Sequence, residues 1–268
     1  MTADFVLKAP SFFWCPEFRV EWKDALPSTQ AFLLSRARSL PSGSVVVADV
    51  QASGMGRKGR KWASASPKGL WMSLLFKHPF DACRAFLIPF WTALALSSAV
   101  RSLGVEGVSP VWPNDLYLDG KKLAGVLVDT KTQASELEMA VVGAGLNLNQ
   151  ALEDFPEDLR PVATSLWLAT DRTFSKQAVL KAFLHDLVNL WGFIEQEGDG
   201  AFLEAYWQAA CGQTSQFAFV VSSQRARAIG LEKSGGLCLE MEDGSFLVAR
   251  DVGDIVKTIP EREDASHS

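Results

Sequence analysis

"VWPNDLYLDGKKLAGVLVD", residues 111–129, decides how the chain is read. Asp119-Gly120 stands between two apolar segments, and Asp-Gly in that setting is a strong signal for a two-residue hairpin turn. The stretch therefore predicts two strands folded back on each other. Pro113 bends the chain just before them and places Asn114 and Asp115 at the tip of the bend. Asn114 carries an amide of the kind that reads an adenine edge. Asp115 can hold a cation or orient a lysine. Lys122 falls on the second strand, followed by Ala124 and Gly125, small residues that leave room for a ligand. An ordinary turn would account for Asn114-Asp115, and a solvated hairpin end for Lys121 and Lys122. Neither accounts for both lying beside an apolar strand with a gap at Gly125.

Upstream, "QASGMGRKGRKWAS", residues 51–64, follows a predicted strand at 44–50. Gly54, Gly56 and Gly59 lie within six residues, and four of the five residues 57–61 are basic. The glycine spacing fits a dinucleotide fingerprint, but that motif must open a helix, and Pro67 and Gly69 stand against one. The Walker A pattern fails too, because Arg60 follows Gly59. A solvated basic tip is the plain alternative. The glycines, however, permit positive φ and close backbone approach. Exposed amides and guanidiniums around such a turn form an anion nest, and Trp62 beside it can cover a purine base. A third stretch, "VVGAGLNLN" at 141–149, places Gly143 and Gly145 on a buried strand. They weaken it unless they mark a bulge or something approaches closely.

The remaining elements frame these three. "GLWMSLLF", 69–76, reads as a strand. Residues 89–104 read as a helix with proline first and glycine last. Residues 174–198 read as an amphipathic helix, capped by Ser175 and ended by Gly198. A short helix at 201–210 follows. After Gly212 come short alternating segments with glycine and polar turns, the pattern of a small β-barrel-like unit. The chain has 268 residues, is 48% hydrophobic and carries a net charge of -5. That is a globular composition, and it argues against nucleic-acid binding by the whole surface. Cys15, Cys83, Cys211 and Cys238 lie far apart, so neither a zinc site nor a disulfide scaffold is indicated. The apolar run 87–100 contains Pro89 and is too short to span a bilayer. No signal peptide is visible, and a cytoplasmic setting is expected.

The three stretches, in this order and spacing, resemble the catalytic domain of biotin protein ligases. That family has "GRGRRGRxW", "KWPND" running into "KLAG", and "GAGxN". This chain has "GMGRKGRKW" at 54–62, "VWPNDLYLDGKKLAG" at 111–125 and "GAGLN" at 143–147, with weaker echoes in "STQ" at 28–30 and "ATSL" at 163–166. The resemblance implies an α+β fold of the class II synthetase-like type. A mixed β-sheet with flanking helices would occupy 1–213, a small SH3-like β domain 214–262, and a disordered tail 263–268. It implies ATP with Mg2+ as nucleotide, biotin as substrate and biotinyl-adenylate as intermediate. A lysine of a carrier protein would be the acceptor. It assigns Lys122, Arg57, Arg60 and Asp115 to catalysis, Asp115 supporting Lys122 or magnesium. Ser28, Thr29, Gln30, Gln51, Gly54, Met55, Gly125, Leu127, Gly143, Gly145 and Leu146 would bind the acid. Gly56, Lys58, Gly59, Trp62, Asn114 and Asn147 would bind the nucleotide.

Three departures stand out. Met55 replaces the first loop arginine, Val111 the lysine before Trp-Pro-Asn-Asp, and Gln30 an asparagine. Two cations near the acyl phosphate are thereby lost. A ligase or transferase for lipoate or octanoate is an alternative, disfavoured because the Arg-Arg-x-Ser-Gly-Gly pattern is missing. A non-catalytic relative is another, disfavoured by Lys122, Asp115 and Arg57. With too little chain before residue 26 for a helix-turn-helix domain, neither DNA nor a membrane is an expected partner. Monomer and homodimer both remain open.

Overall fold

The structure is a computed structural model and describes residues 3–10, 15–78, 81–214, 218–221, 224–251 and 256–258. Eight strands form one mixed sheet: β1 (Phe5–Lys8), β2 (Glu17–Leu26), β3 (Ser44–Gln51), β4 (Leu70–Phe76), β5 (Val108–Val111), β6 (Asp115–Leu118), β7 (Lys121–Gln133) and β8 (Glu136–Leu146). Their order is β1-β2-β3-β4-β8-β7-β6-β5. β2 and β3 run parallel, and the other neighbours are antiparallel. Four helices complete this part: α1 (Thr29–Arg36), α2 (Leu87–Ser102), α3 (Leu166–Thr170) and α4 (Lys176–Thr214). Five further strands, β9 (Ala218–Val221), β10 (Gln224–Leu231), β11 (Leu237–Met241), β12 (Phe246–Ala249) and β13 (Val256–Thr258), make a separate antiparallel sheet. This is the expected α+β architecture with a small β unit after the helices. The tail beyond 258 lies outside the described residues.

Strand alternation explains why the central sequences are apolar throughout. Val45 and Val47 pack in the larger core with α2 and α4, while Val46 packs with Leu75, Val141 and Leu33 of α1 on the opposite face. Strands covered on both faces have no polar side to show. The cover is unequal. α1 is only eight residues long, so it shields one end of its face and leaves the rest as a trough. Cross-sheet register sets the trough floor. Asp115, Gly125, Gly145 and Trp71 form one row, and Leu127, Gly143 and Ser73 the next.

The expected hairpin is present, with positive φ at both Asp119 (49°) and Gly120 (76°), the signature of a type I′ turn. The α2 expectation was displaced: the helix begins at Leu87 and ends at Ser102, two residues early at each end. Proline is tolerated within the first turn, so Pro89 does not mark the first residue. Ser175 accepts a hydrogen bond from the Ala178 amide at 3.3 Å, as a cap should. Gly198 (φ 83°, ψ 169°) is non-helical and breaks α4 where the helix was expected to end. The second helical segment of α4, after that break, contains the short helix expected at 201–210 and runs on through Gly212 to Thr214. β1, β2, α1, β5 and α3 were not anticipated from sequence.

Candidate functional site

A cavity of about 650 Å³ opens over the trough. Its α1 end is a closed polar network. Ser28 caps α1, accepting from the Ala31 amide at 3.3 Å. Thr29 donates its backbone N–H (2.8 Å) and its hydroxyl (3.1 Å) to Gln51 Oε1. Both bonds fall on the oxygen, so the Gln51 NH2 is the group left for a ligand. Gln30 Nε2 donates to Asp129 Oδ2 and to the Val141 carbonyl, each at 2.8 Å. Ser73 Oγ lies 2.9 Å from Thr29 Oγ1 and 3.0 Å from Gln30 Oε1, placed to donate to either. Ser73 and Asp129 were missed by the sequence reading. Ser73 is the one polar side chain in the apolar run of β4, and that was a usable signal.

Gly143 and Gly145 are places of close approach, as expected, but the neighbours are the protein's own side chains. A Cβ on Gly143 would stand 2.6 Å from Gln30 Oε1, and one on Gly145 2.4 Å from Trp62 Nε1. Gly125 meets the same indole, with its Cβ position 3.0 Å from the ring. Trp62 thus lies on the trough floor, edge-on to Trp71 with centroids 6.5 Å apart. Its indole N–H is buried, with no acceptor among the described residues.

The basic loop closes over the other end. The backbone N–H of Trp62 donates to the Gly54 carbonyl at 2.9 Å and that of Gly56 to the Arg60 carbonyl at 2.7 Å, and Met55 pairs with Lys61. The loop is a narrow hairpin, not a helix. Lys58 (φ 56°) and Gly59 (φ 72°) make its tip. Gly54 lies at its neck, where a Cβ would come within 2.3 Å of Ser64 Oγ. Arg57 Nη1 donates to Asn114 Oδ1 at 3.1 Å, and Arg57 Nη2 to Asp251 Oδ1 at 2.9 Å. Lys58 Nζ lies 3.0 Å from Asp251 Oδ2. Asp251 belongs to the small β unit, and no sequence pattern announced it. Asn114 Nδ2 is bound to the Val126 carbonyl at 2.7 Å. Each end of that amide thus holds one protein bond and keeps one further hydrogen-bonding position, where the sequence reading offered the amide to adenine.

Lys122 reaches the site through a bulge. Asp115 pairs with Gly125 and Leu116 with Ala124, but Tyr117 pairs with Lys122. Strict alternation would have put Leu123 on the Asp115 face. The extra residue sends Leu123 into the core and turns Lys122 toward the carboxylate. Lys122 Nζ lies 2.8 Å from Asp115 Oδ1 and 5.4 Å from the Trp62 ring centre. Tyr117 also borders the cavity. Burial raises its phenol pKa above the ordinary range, and the Asp115 charge adds to the shift.

Of the predicted site residues, Ser28, Thr29, Gln30, Gln51, Met55, Gly56, Arg57, Lys58, Arg60, Trp62, Asn114, Asp115, Lys122, Gly125, Leu127, Gly143, Gly145 and Asn147 border one cavity. Gly54 and Gly59 shape the loop without bordering it. Leu146 points into the core and is fully buried. Asn147 Nδ2 bonds the Thr164 carbonyl at 2.9 Å, tying "GAGLN" to "ATSL". An apolar wall of Phe155, Leu159 and Val162 had no sequence signal.

Residues 22–147 match the biotin/lipoate A/B protein ligase family. The bifunctional ligase/repressor BirA of Bacillus spizizenii is 26% identical over 227 residues, 83% of this chain and 70% of that protein. Biotin–protein ligase 2 of Arabidopsis thaliana is 30% identical over 198 residues, 70% of this chain and 57% of that protein. The solved biotin protein ligase from Aquifex aeolicus, in complex with biotin and ATP, is 25% identical with a TM-score of 0.73, over 90% of this chain and 99% of that one. The matched residues contain all three motif stretches, and the fold brings those stretches to one cavity: residues 22–147 are a domain of the biotin/lipoate A/B protein ligase family.

Proposed function

We propose that this chain is an ATP-dependent biotin–protein ligase. A carboxylate oxygen of biotin attacks the α-phosphorus of ATP, pyrophosphate leaves, and biotinyl-5′-adenylate forms. The neutral amine of a carrier-protein lysine then attacks the acyl carbonyl and AMP leaves, so that an amide joins biotin to the carrier. The observation that carries this reading is the pairing of two unlike ends across one trough. A buried hydrogen-bonding end faces a cationic end with a lysine–carboxylate pair between them. The similarity to biotin ligases supports biotin over lipoate or octanoate as the acid.

In this reading Ser28, Thr29, Gln30 and Gln51 meet the ureido ring, while Leu127, Gly143 and Trp62 flank the apolar part of the acid. Lys122, Arg57 and Arg60 stabilise the charge that builds on the α-phosphate, where preorganised cations act most strongly. Asp115 orients Lys122, and Asn114 orients Arg57. Gly54, Gly56, Lys58 and Gly59 give the loop its cradle. Among the described residues no group of three or more His, Cys, Asp or Glu could hold a metal. Mg2+ would be carried by the nucleotide's phosphates and would neutralise part of their charge. Residues 1–213 form the catalytic unit and 214–262 the small β unit. Among the described residues no helix is long and apolar enough to cross a membrane, and the four cysteines are unpaired, which supports a cytoplasmic setting. ATP–pyrophosphate exchange against a panel of acids tests the reading. Exchange that requires biotin is expected, and none with biotin but exchange with another acid would overturn it.

A further inference from the structure

The loop's four cations would repel one another if no anion were near. The chain supplies one itself. Asp251, just past β12, gives one oxygen to Arg57 (2.9 Å) and the other to Lys58 (3.0 Å), and it borders the cavity. Neither adenylate formation nor acyl transfer uses this carboxylate. A fixed anion beside a triphosphate site opposes binding unless it yields.

We propose that Asp251 is the internal counter-anion of the polyphosphate site: it holds Arg57 and Lys58 at the cavity mouth and releases them to the incoming phosphates. The proposal rests on the ligase reading and brings the small β unit into the nucleotide site. Exposure decides which way the exchange runs. The side chains of Arg57, Lys58 and Asp251 are 31%, 48% and 41% exposed, and pairs so screened hold weakly. Guanidinium–phosphate bonds are charge-assisted and can be bidentate, so the cations prefer the nucleotide. The loop's shape does not depend on Asp251. The backbone bonds at Gly54 and Gly56, the seat of Trp62 and the Arg57–Asn114 bond all remain without it. Removing the carboxylate thus removes a competitor and leaves the cradle standing.

Calorimetric titration of the full chain with inorganic pyrophosphate and with ATP tests this. Asp251→Asn is expected to bind both roughly three- to tenfold more tightly at low ionic strength. The gain should fade above about 0.5 M salt, where the charges are screened. Asp251→Glu keeps the charge and should behave like the parent. Asp251→Ser repeats the test should the amide disturb the fold. Equal or weaker binding by a folded Asn or Ser variant overturns the proposal; if biotin-dependent exchange persists in that protein, the ligase reading stands. Failure of every form to bind polyphosphate overturns both.

Discussion

At the α1 end of the cavity, Thr29, Gln30, Gln51 and Ser73 are buried and bonded to one another, and buried Ser28 caps α1. At the loop end, Met55 is 49% exposed, and Arg57 and Lys58 are held by ion pairs open to solvent. The difference is one of energetics. A buried donor or acceptor stripped of its partner costs about 1–3 kcal/mol, while an exposed ion pair is worth about 0–1 kcal/mol. The first end is fixed before a ligand arrives, and the second trades partners. An acid recognised by neutral hydrogen bonds needs the first kind of site. A polyanion that must enter and then leave as pyrophosphate needs the second.

The largest effect is expected where the two ends meet. Lys122→Ala should cut ATP–pyrophosphate exchange by at least about a thousandfold, because a fixed cation in the transition state is worth several kcal/mol. Its Tm should barely move, since Lys122 heads a hairpin arm and its side chain lies outside the core. Exchange near the parent rate would remove Lys122 from the chemistry.

Thr29→Val probes the fixed end. It keeps the shape and deletes the hydroxyl that joins Gln51 to Ser73. Biotin affinity should fall roughly five- to a hundredfold with ATP affinity unchanged. An equal loss of both would mean that the two ends are not independent.

These contrasts are unequally legible in the sequence. The motif stretches are legible because the glycines, the Asp-Gly turn and the paired polar residues lie close together along the chain. Gly143 and Gly145 correctly signal close approach, but composition does not say what approaches. Here Gln30 and Trp62 do, and both arrive from other elements. The Lys122 bulge is invisible to a period-two pattern, which puts Leu123 on the wrong face. Asp251 lies 194 residues from Arg57 in an unpatterned turn, and only tertiary structure pairs them. The early start of α2 shows tertiary packing overriding a local start signal, whereas α4 breaks at Gly198, where the sequence places the stop.

Gly145→Ala sharpens the role of Trp62. The added methyl falls 2.4 Å from the indole nitrogen, so ring or strand must shift, at about 1–3 kcal/mol of stability. In a Trp62→Ala background the cost should largely vanish. The same cost in both backgrounds, measured by denaturant unfolding, would mean that the indole is not the obstacle.

The smallest effect is expected at Met55. An arginine there would add a charge at the exchangeable end, but at an exposed position. The gain in affinity for a non-hydrolysable adenylate analogue should be about three- to tenfold, limited by screening. Calorimetry on both forms measures it, and an unchanged or weaker mutant would mean that the mouth does not meet the adenylate's charge.

Biotin is thus expected to enter a preformed end while the nucleotide remakes the other. Hydrogen exchange of the full chain, alone and with biotin plus a non-hydrolysable ATP analogue, tests it directly. Amides at 54–62 should gain strong protection, while those at 28–33 and 71–75, already slow, should change little. A loop with unchanged exchange, or an α1 end that orders only when ligand binds, would contradict the account.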